Sequence, residues 1–115
     1  MSQPVRTRPE GCADPLYQVY DTALLDLDGV VYAGGEAVEH AVPSLSAARD
    51  RGMRLAYVTN NASRTPQAVA DHLARLGVPA APEDVVTSAQ AVARLVAERL
   101  PAGARGLVVG GEGLR

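Results

Sequence analysis

Residues 22–27, Thr-Ala-Leu-Leu-Asp-Leu, form a short apolar run that stops at Asp28-Gly29, and nothing else in the chain limits its fold so strongly. A run of that length ending in turn chemistry reads as a buried strand, because a helix needs more residues to bury a face. A second run, Arg54–Thr59, ends in the same manner at Asn60-Asn61. Between them, Val30–Val38 places Gly34-Gly35 amid β-prone residues, which predicts a hairpin. The helical period then appears over residues 43–51, with Pro43 in the first turn, Leu45 and Ala48 inward, and Gly52 as terminator. Thr65-Pro66 opens another helix through a hydroxyl cap and a proline at its first position, with Val69, Leu73 and Leu76 as its stripe and Gly77 closing it. Val85-Val86 reads as a short extended piece, after which Thr87 or Ser88 caps a third helix carrying Val92, Leu95, Val96 and Leu100 on one face. Gly106–Gly110 is expected to be a third full strand. Strands alternating with helices predict an α/β fold with a parallel, Rossmann-like sheet and flanking helices.

Composition agrees with that class. Hydrophobic residues make up 47% of the 115, yet Phe and Trp are absent and only four Tyr occur, so the core must be built from Val, Leu and Ala. Val-rich strands covered by Ala/Leu helices suit such a core. The length fits one small domain. Pro4, Pro9, Gly11 and Pro15 make residues 1–18 a flexible N-terminal arm, and residues 19–115 the folded unit. The formal charge is −2 with no basic block, which argues against a nucleic-acid partner. No apolar run reaches membrane-spanning length and residues 1–15 are polar, so a cytoplasmic protein without a membrane partner is expected. Cys12 stands alone, an incidental thiol with no disulfide framework around it.

In a parallel sheet, ligands gather at the carboxyl ends of the strands. Both polar clusters of this chain, Asp26/Asp28 and Thr59/Asn60/Asn61, fall at such ends. Two carboxylates one residue apart repel unless a cation lies between them, and Mg²⁺ suits a pair of carboxylates completed by phosphate oxygens and waters. The same pair before Gly29 also reads as ordinary turn or capping chemistry. Thr59 taken alone reads as a strand-end threonine or as a ligand contact.

The stretch Asp26-Leu27-Asp28-Gly29-Val30-Val31-Tyr32 resembles the first motif of the haloacid dehalogenase superfamily, and Val58-Thr59-Asn60-Asn61-Ala62-Ser63-Arg64 resembles its second. The Leu-Gly-Val segment at 76–78, the Thr87-Ser88 helix start and Val108-Val109-Gly110-Gly111-Glu112-Gly113-Leu114 extend the resemblance to the NagD-like subfamily IIA of sugar-phosphate, nucleotide and phosphoglycolate phosphatases. The resemblance implies that Asp26 is the nucleophile, forming an aspartyl-phosphate, and that Asp28 is the general acid and then base. It implies that Mg²⁺ is held by Asp26 and by the Asp28 backbone carbonyl. Thr59 through its hydroxyl and Asn60 through its amide N–H would hold phosphate, with Asn61 as a further candidate.

Arg64 is a weaker candidate for facing a substrate phosphate. His40 and His72 read as surface residues. The glycines at 110–113 do not complete a dinucleotide-binding pattern. The family's later motifs supply a lysine and further acids, and this chain contains no lysine. The expectation is therefore the N-terminal half of a core domain, without its cap, from a phosphatase of small phosphorylated metabolites. By itself it is expected to be inactive or nearly so, and homo-oligomerisation is left to a longer form. The alternatives are a non-catalytic Mg²⁺- or phosphate-binding remnant or interaction domain, and phosphotransferase or mutase chemistry on the same aspartate. A sheet of three main strands is also expected to leave an unpaired edge and uncovered apolar surface.

Overall fold

The computed structural model describes residues 10–115, so residues 1–9 of the expected arm lie outside the described residues. Leu16–Val19 forms a single helical turn (α1), and the Arg51 guanidinium lies 4.7 Å from the centre of the Tyr17 ring. Strand β1 (Thr22–Asp26) follows, then the hairpin β2 (Tyr32–Ala33) and β3 (Glu36–Ala37) around Gly34-Gly35. Helix α2 spans Ala41–Asp50, two residues earlier at its start than the proline suggested, with Pro43 still inside the first turn. Gly52 takes φ +92° just past its end, and the Met53 N–H returns to the Ala48 carbonyl. That left-handed residue closes the helix and sends the chain into β4 (Arg54–Thr59).

Helix α3 (Pro66–Arg75) begins as its sequence requires: the Thr65 hydroxyl accepts the Ala68 N–H at 3.1 Å and proline fills the first turn. A short 3₁₀ turn, Pro82–Asp84, leads into β5 (Val85–Thr87), and α4 (Ser88–Arg99) follows directly. Thr87 caps α4 reciprocally with Gln90: the Gln90 N–H donates to the Thr87 hydroxyl at 3.2 Å and the Thr87 N–H to the Gln90 side-chain carbonyl at 2.9 Å.

The main sheet has three parallel strands in the order β1-β4-β5, with Asp26 opposite Val58 and Thr59 opposite Thr87. Because side chains alternate, Leu25, Leu27, Leu55, Tyr57 and Val85 share one face. Helices α2 and α3 cover it with Val42, Leu45, Val69, Ala70 and Leu73, making one aliphatic core around Tyr57. The opposite face stays open: Leu24 is 75% exposed, and Val58 and Val86 are exposed beside it. Val92, Leu95 and Val96 lie along α4 and Leu100 caps its end, as the period predicted, but all four are exposed.

One expected element is absent. Residues 106–110 are not a strand; Leu107 is 92% exposed and Val109 nearly as much. Strand propensity is a preference for a pleated, half-buried surface, and here no neighbouring strand offers its ladder. The third strand of the sheet is instead Val85–Thr87, read from the sequence only as a short extended piece.

This division predicts two unequal losses. Leu73→Ala, at a fully buried position, is expected to lower the unfolding free energy by about 2–5 kcal/mol. Leu107→Ala should change it by less than about 0.5 kcal/mol, as for an exposed site. Urea denaturation followed by circular dichroism measures both, and comparable losses would mean that residues 106–110 are packed after all.

Candidate active site

The parallel register fixes where the polar residues meet. Asp26 ends β1 and Thr59 ends β4 at the same edge of the sheet, one ladder step apart. Beyond Asp26 the chain folds into a tight turn. The Leu27 carbonyl accepts the N–H groups of Val30, Val31 and Tyr32, and the Gly29 N–H donates to the Tyr32 carbonyl at 2.7 Å. Gly29 takes φ +78°, a conformation that a side chain disfavours. The turn holds Asp28 in a bridge to Tyr32 and leaves the carboxylates of both Asp26 and Asp28 exposed. One Asp26 oxygen accepts the Leu27 N–H at 2.9 Å, which orients the carboxylate against its own strand end.

The second loop is tied down from several sides. Thr59 is buried, and its hydroxyl oxygen accepts the Asn61 N–H at 3.1 Å. The hydroxyl proton is thereby left free to donate elsewhere. The Asn61 side-chain oxygen accepts the Ser63 N–H at 2.8 Å, so this residue builds the turn with its side chain. Asn60 is exposed, and its carbonyl accepts the Ser88 hydroxyl at 3.0 Å, joining the loop to the start of α4.

The chain's last residues close on this loop. The Gly113 N–H donates to the Ser63 carbonyl at 3.0 Å. A methyl group at Gly113 would meet the carbonyls of Ala62 and Arg64 at 2.5 Å, and one at Gly111 would meet that of Ser63 at 2.9 Å. The Gly-Glu-Gly segment is therefore backbone packed on backbone, a use that its sequence did not reveal.

His72 departs from its expected surface position. It is 8% exposed, with its Nε2 buried and unpartnered, and its ring meets that of Tyr32 edge-on, centroids 4.6 Å apart at 83°. The signal was available: Val69, His72, Leu73 and Leu76 follow i, i+3, i+4, i+7, and the stripe drawn through the apolar members alone omitted the histidine. Burial lowers the His72 pKa below its usual 6.5, Arg64 and Arg75 lower it further, and Asp28 opposes them. Burial raises the Tyr32 pKa, as do Asp28 and Asp26, while Arg64 pulls it down. The exposed Arg64 guanidinium thus opposes the two aspartates in its effect on Tyr32. His40 is exposed as expected, 3.4 Å from Glu39, at a left-handed φ of 68° before α2. Cys12 is exposed and free.

Comparison with known proteins fits this arrangement. The haloacid dehalogenase-like hydrolase family matches residues 23–115. The chain belongs to that family, in its NagD-like subfamily. The haloacid dehalogenase-like chain is 52% identical over 97 residues to the D-glycerol 3-phosphate phosphatase of Mycobacterium tuberculosis, covering 84% of this chain and 27% of that protein. It is 41% identical to a 5′-nucleotidase of Bacillus subtilis, covering 85% of this chain and 38% of that protein. Among solved structures, the glycerol phosphate phosphatase of M. tuberculosis in complex with magnesium superposes with a TM-score of 0.78 at 51% identity, over 85% of this chain and 29% of that one. NagD from E. coli K-12 gives 0.69 at 33%, over 82% and 37%. This chain therefore spans roughly a third of the length of such relatives. No helix among the described residues is long and apolar enough to cross a membrane.

Two outcomes are expected here. Gly113→Ala should cost about 1–3 kcal/mol, as overpacking does, while Gly35→Ala, with open space around it, should cost less than about 1 kcal/mol; denaturant midpoints compare them. For His72, the unfolded chain takes a proton at higher pH than the folded one. Stability should therefore be complete above the ordinary pKa of 6.5 and fall as pH drops through it towards the folded value. Urea midpoints at about pH 7.5 and about pH 5.5 should diverge less in His72→Phe than in the parent chain.

Proposed function

We propose that this chain carries the nucleophile side of a magnesium-dependent phosphatase site for small phosphorylated metabolites. The observation that supports it most is the parallel pairing of β1 with β4, in which Asp26 and Thr59 end adjacent strands at the same edge and Asp28 follows just beyond. The donor set fits a hard cation in part. Asp26 and Asp28 offer only oxygen, and among the described residues there is no group of three or more metal-ligating side chains. Mg²⁺ tolerates this, since one or two carboxylates with substrate phosphate and water commonly suffice. The Asp26 carboxylate and the Asp28 carbonyl would hold it, and when bound it supplies positive charge to the phosphate oxygens.

In the proposed reaction an Asp26 oxygen attacks phosphorus as the ester P–O bond breaks, and Asp28 gives its proton to the departing oxygen. Water then attacks the aspartyl-phosphate while Asp28 takes the water's proton, which releases orthophosphate and restores Asp26. The free Thr59 proton and the Asn60 N–H donate to phosphate oxygens, and Asn61 shapes the loop that presents them. The relatives' names, a glycerol 3-phosphate phosphatase, a 5′-nucleotidase and acid sugar phosphatases, support small phosphate monoesters as the proposed substrate class. A second reading, binding of magnesium and phosphate without turnover, is favoured for this sequence by its lack of lysine.

A ¹⁵N-labelled sample tests the proposal. Mg²⁺ should shift the amides of Asp26–Gly29, and Asp26→Asn should abolish the response. Orthophosphate added with Mg²⁺ should shift Thr59–Asn61, less so in Thr59→Val. Absence of any magnesium response at Asp26–Gly29 would overturn the assignment. Hydrolysis of an aryl phosphate, lost in Asp26→Asn, would select the phosphatase over the binding-only reading.

A further inference from the structure

The turn that carries Asp28 and the loop that follows Thr59 belong to different elements of the fold, and the rings of Tyr32 and His72 meet across those elements. Tyr32 closes the turn that carries Asp28: its carbonyl accepts the Gly29 N–H at 2.7 Å, and its own N–H donates to the Leu27 carbonyl at 3.2 Å. Its side chain is buried at 4% exposure. His72 belongs to α3, whose start at Thr65 directly follows the Asn60–Arg64 loop. The edge-on contact of the two rings, 4.6 Å between centroids, therefore links the element holding Asp28 to the helix that anchors the loop after Thr59.

We infer that His72 is a positioning residue: through its ring contact with Tyr32 it holds the Asp28 turn at a set distance from the phosphate loop. This rests on the proposed site, and it deepens it by naming what keeps the two loops in register. An isolated fold-stabilising role is a poor account of a histidine here. The buried Nε2 finds no partner, and a buried polar atom left unpaired costs stability that an apolar ring of similar shape would not. What the ring does supply is a flat, rigid edge against the tyrosine, a geometry that aromatic pairs favour. Tyr32 stands in the turn after Asp28 and His72 in the helix after the loop, so their ring contact spans the two elements.

The experiment compares His72→Leu, His72→Phe and the unaltered 115-residue chain. Amide hydrogen exchange of Gly29 and Tyr32, measured without metal, should quicken by on the order of tenfold in His72→Leu. Exchange at the α3 and β4 core amides should stay unchanged, and His72→Phe should restore the slow rate. Mg²⁺ affinity read from the Asp26–Gly29 shifts should weaken by roughly 10-fold in His72→Leu and recover in His72→Phe. Equal quickening throughout the core, or no rescue by phenylalanine, would overturn the positioning role. If the unaltered chain gives no magnesium response, the site assignment fails, while the exchange data still decide the fate of the ring contact.

Discussion

Parallel pairing of β1 with β4 is the interaction on which the remainder of the structure depends. Its register, Asp26 opposite Val58, decides that the strand ends carrying Asp26 and Thr59 finish at one edge. A one-residue slip would turn Leu25 and Leu27 away from the helices and expose them, so the buried aliphatic face enforces the register that the site needs. Packing and chemistry are thus coupled through the period of the strand: Leu25 and Leu27 hold the core while Asp26 and Asp28, alternating with them, remain at the surface.

The core is finished on one side only. Helices α2 and α3 cover the face of Leu25, Leu55, Tyr57 and Val85, whereas Leu24, Val58 and Val86 lie open on the other. Parallel sheets ordinarily have both faces covered, because each apolar side chain left in water forfeits its burial energy. The exposed stripe of α4 and the unpaired residues 107–109 share this condition. At the candidate site, two carboxylates and the Thr59–Asn61 loop stand at the strand ends, and the chain has no lysine ammonium to set beside them.

The strand-end placement of the candidate site residues was legible in the residue order, since Asp-x-Asp-Gly after an apolar run and Thr-Asn-Asn after another each mark a strand end. The caps were legible too: Thr65 before Pro66, and Thr87 with Gln90, act through contacts no more than three residues apart. Local chemistry of that kind survives any tertiary arrangement. What depended on distant partners was read less well. Val108 and Val109 carry the propensity of a strand but lack a neighbour to pair with, so they stay irregular. His72 reads as polar in isolation, yet its position on α3 faces inward, where Tyr32 meets it from a segment 40 residues earlier.

By itself, then, the sequence determined the alternation of elements, the capping of α3 and α4, and the placement of acidic and hydroxyl residues at strand ends. Each of these follows from periodicity and from hydrogen bonds between near neighbours. Long-range packing settles which strands pair, which sheet face is covered, that the Gly111–Gly113 backbone packs on the Ala62–Arg64 loop, and that a histidine meets Tyr32 edge-on. Those outcomes arise from contacts between segments far apart in the chain, whose energies depend on shape and burial that no single stretch of residues contains.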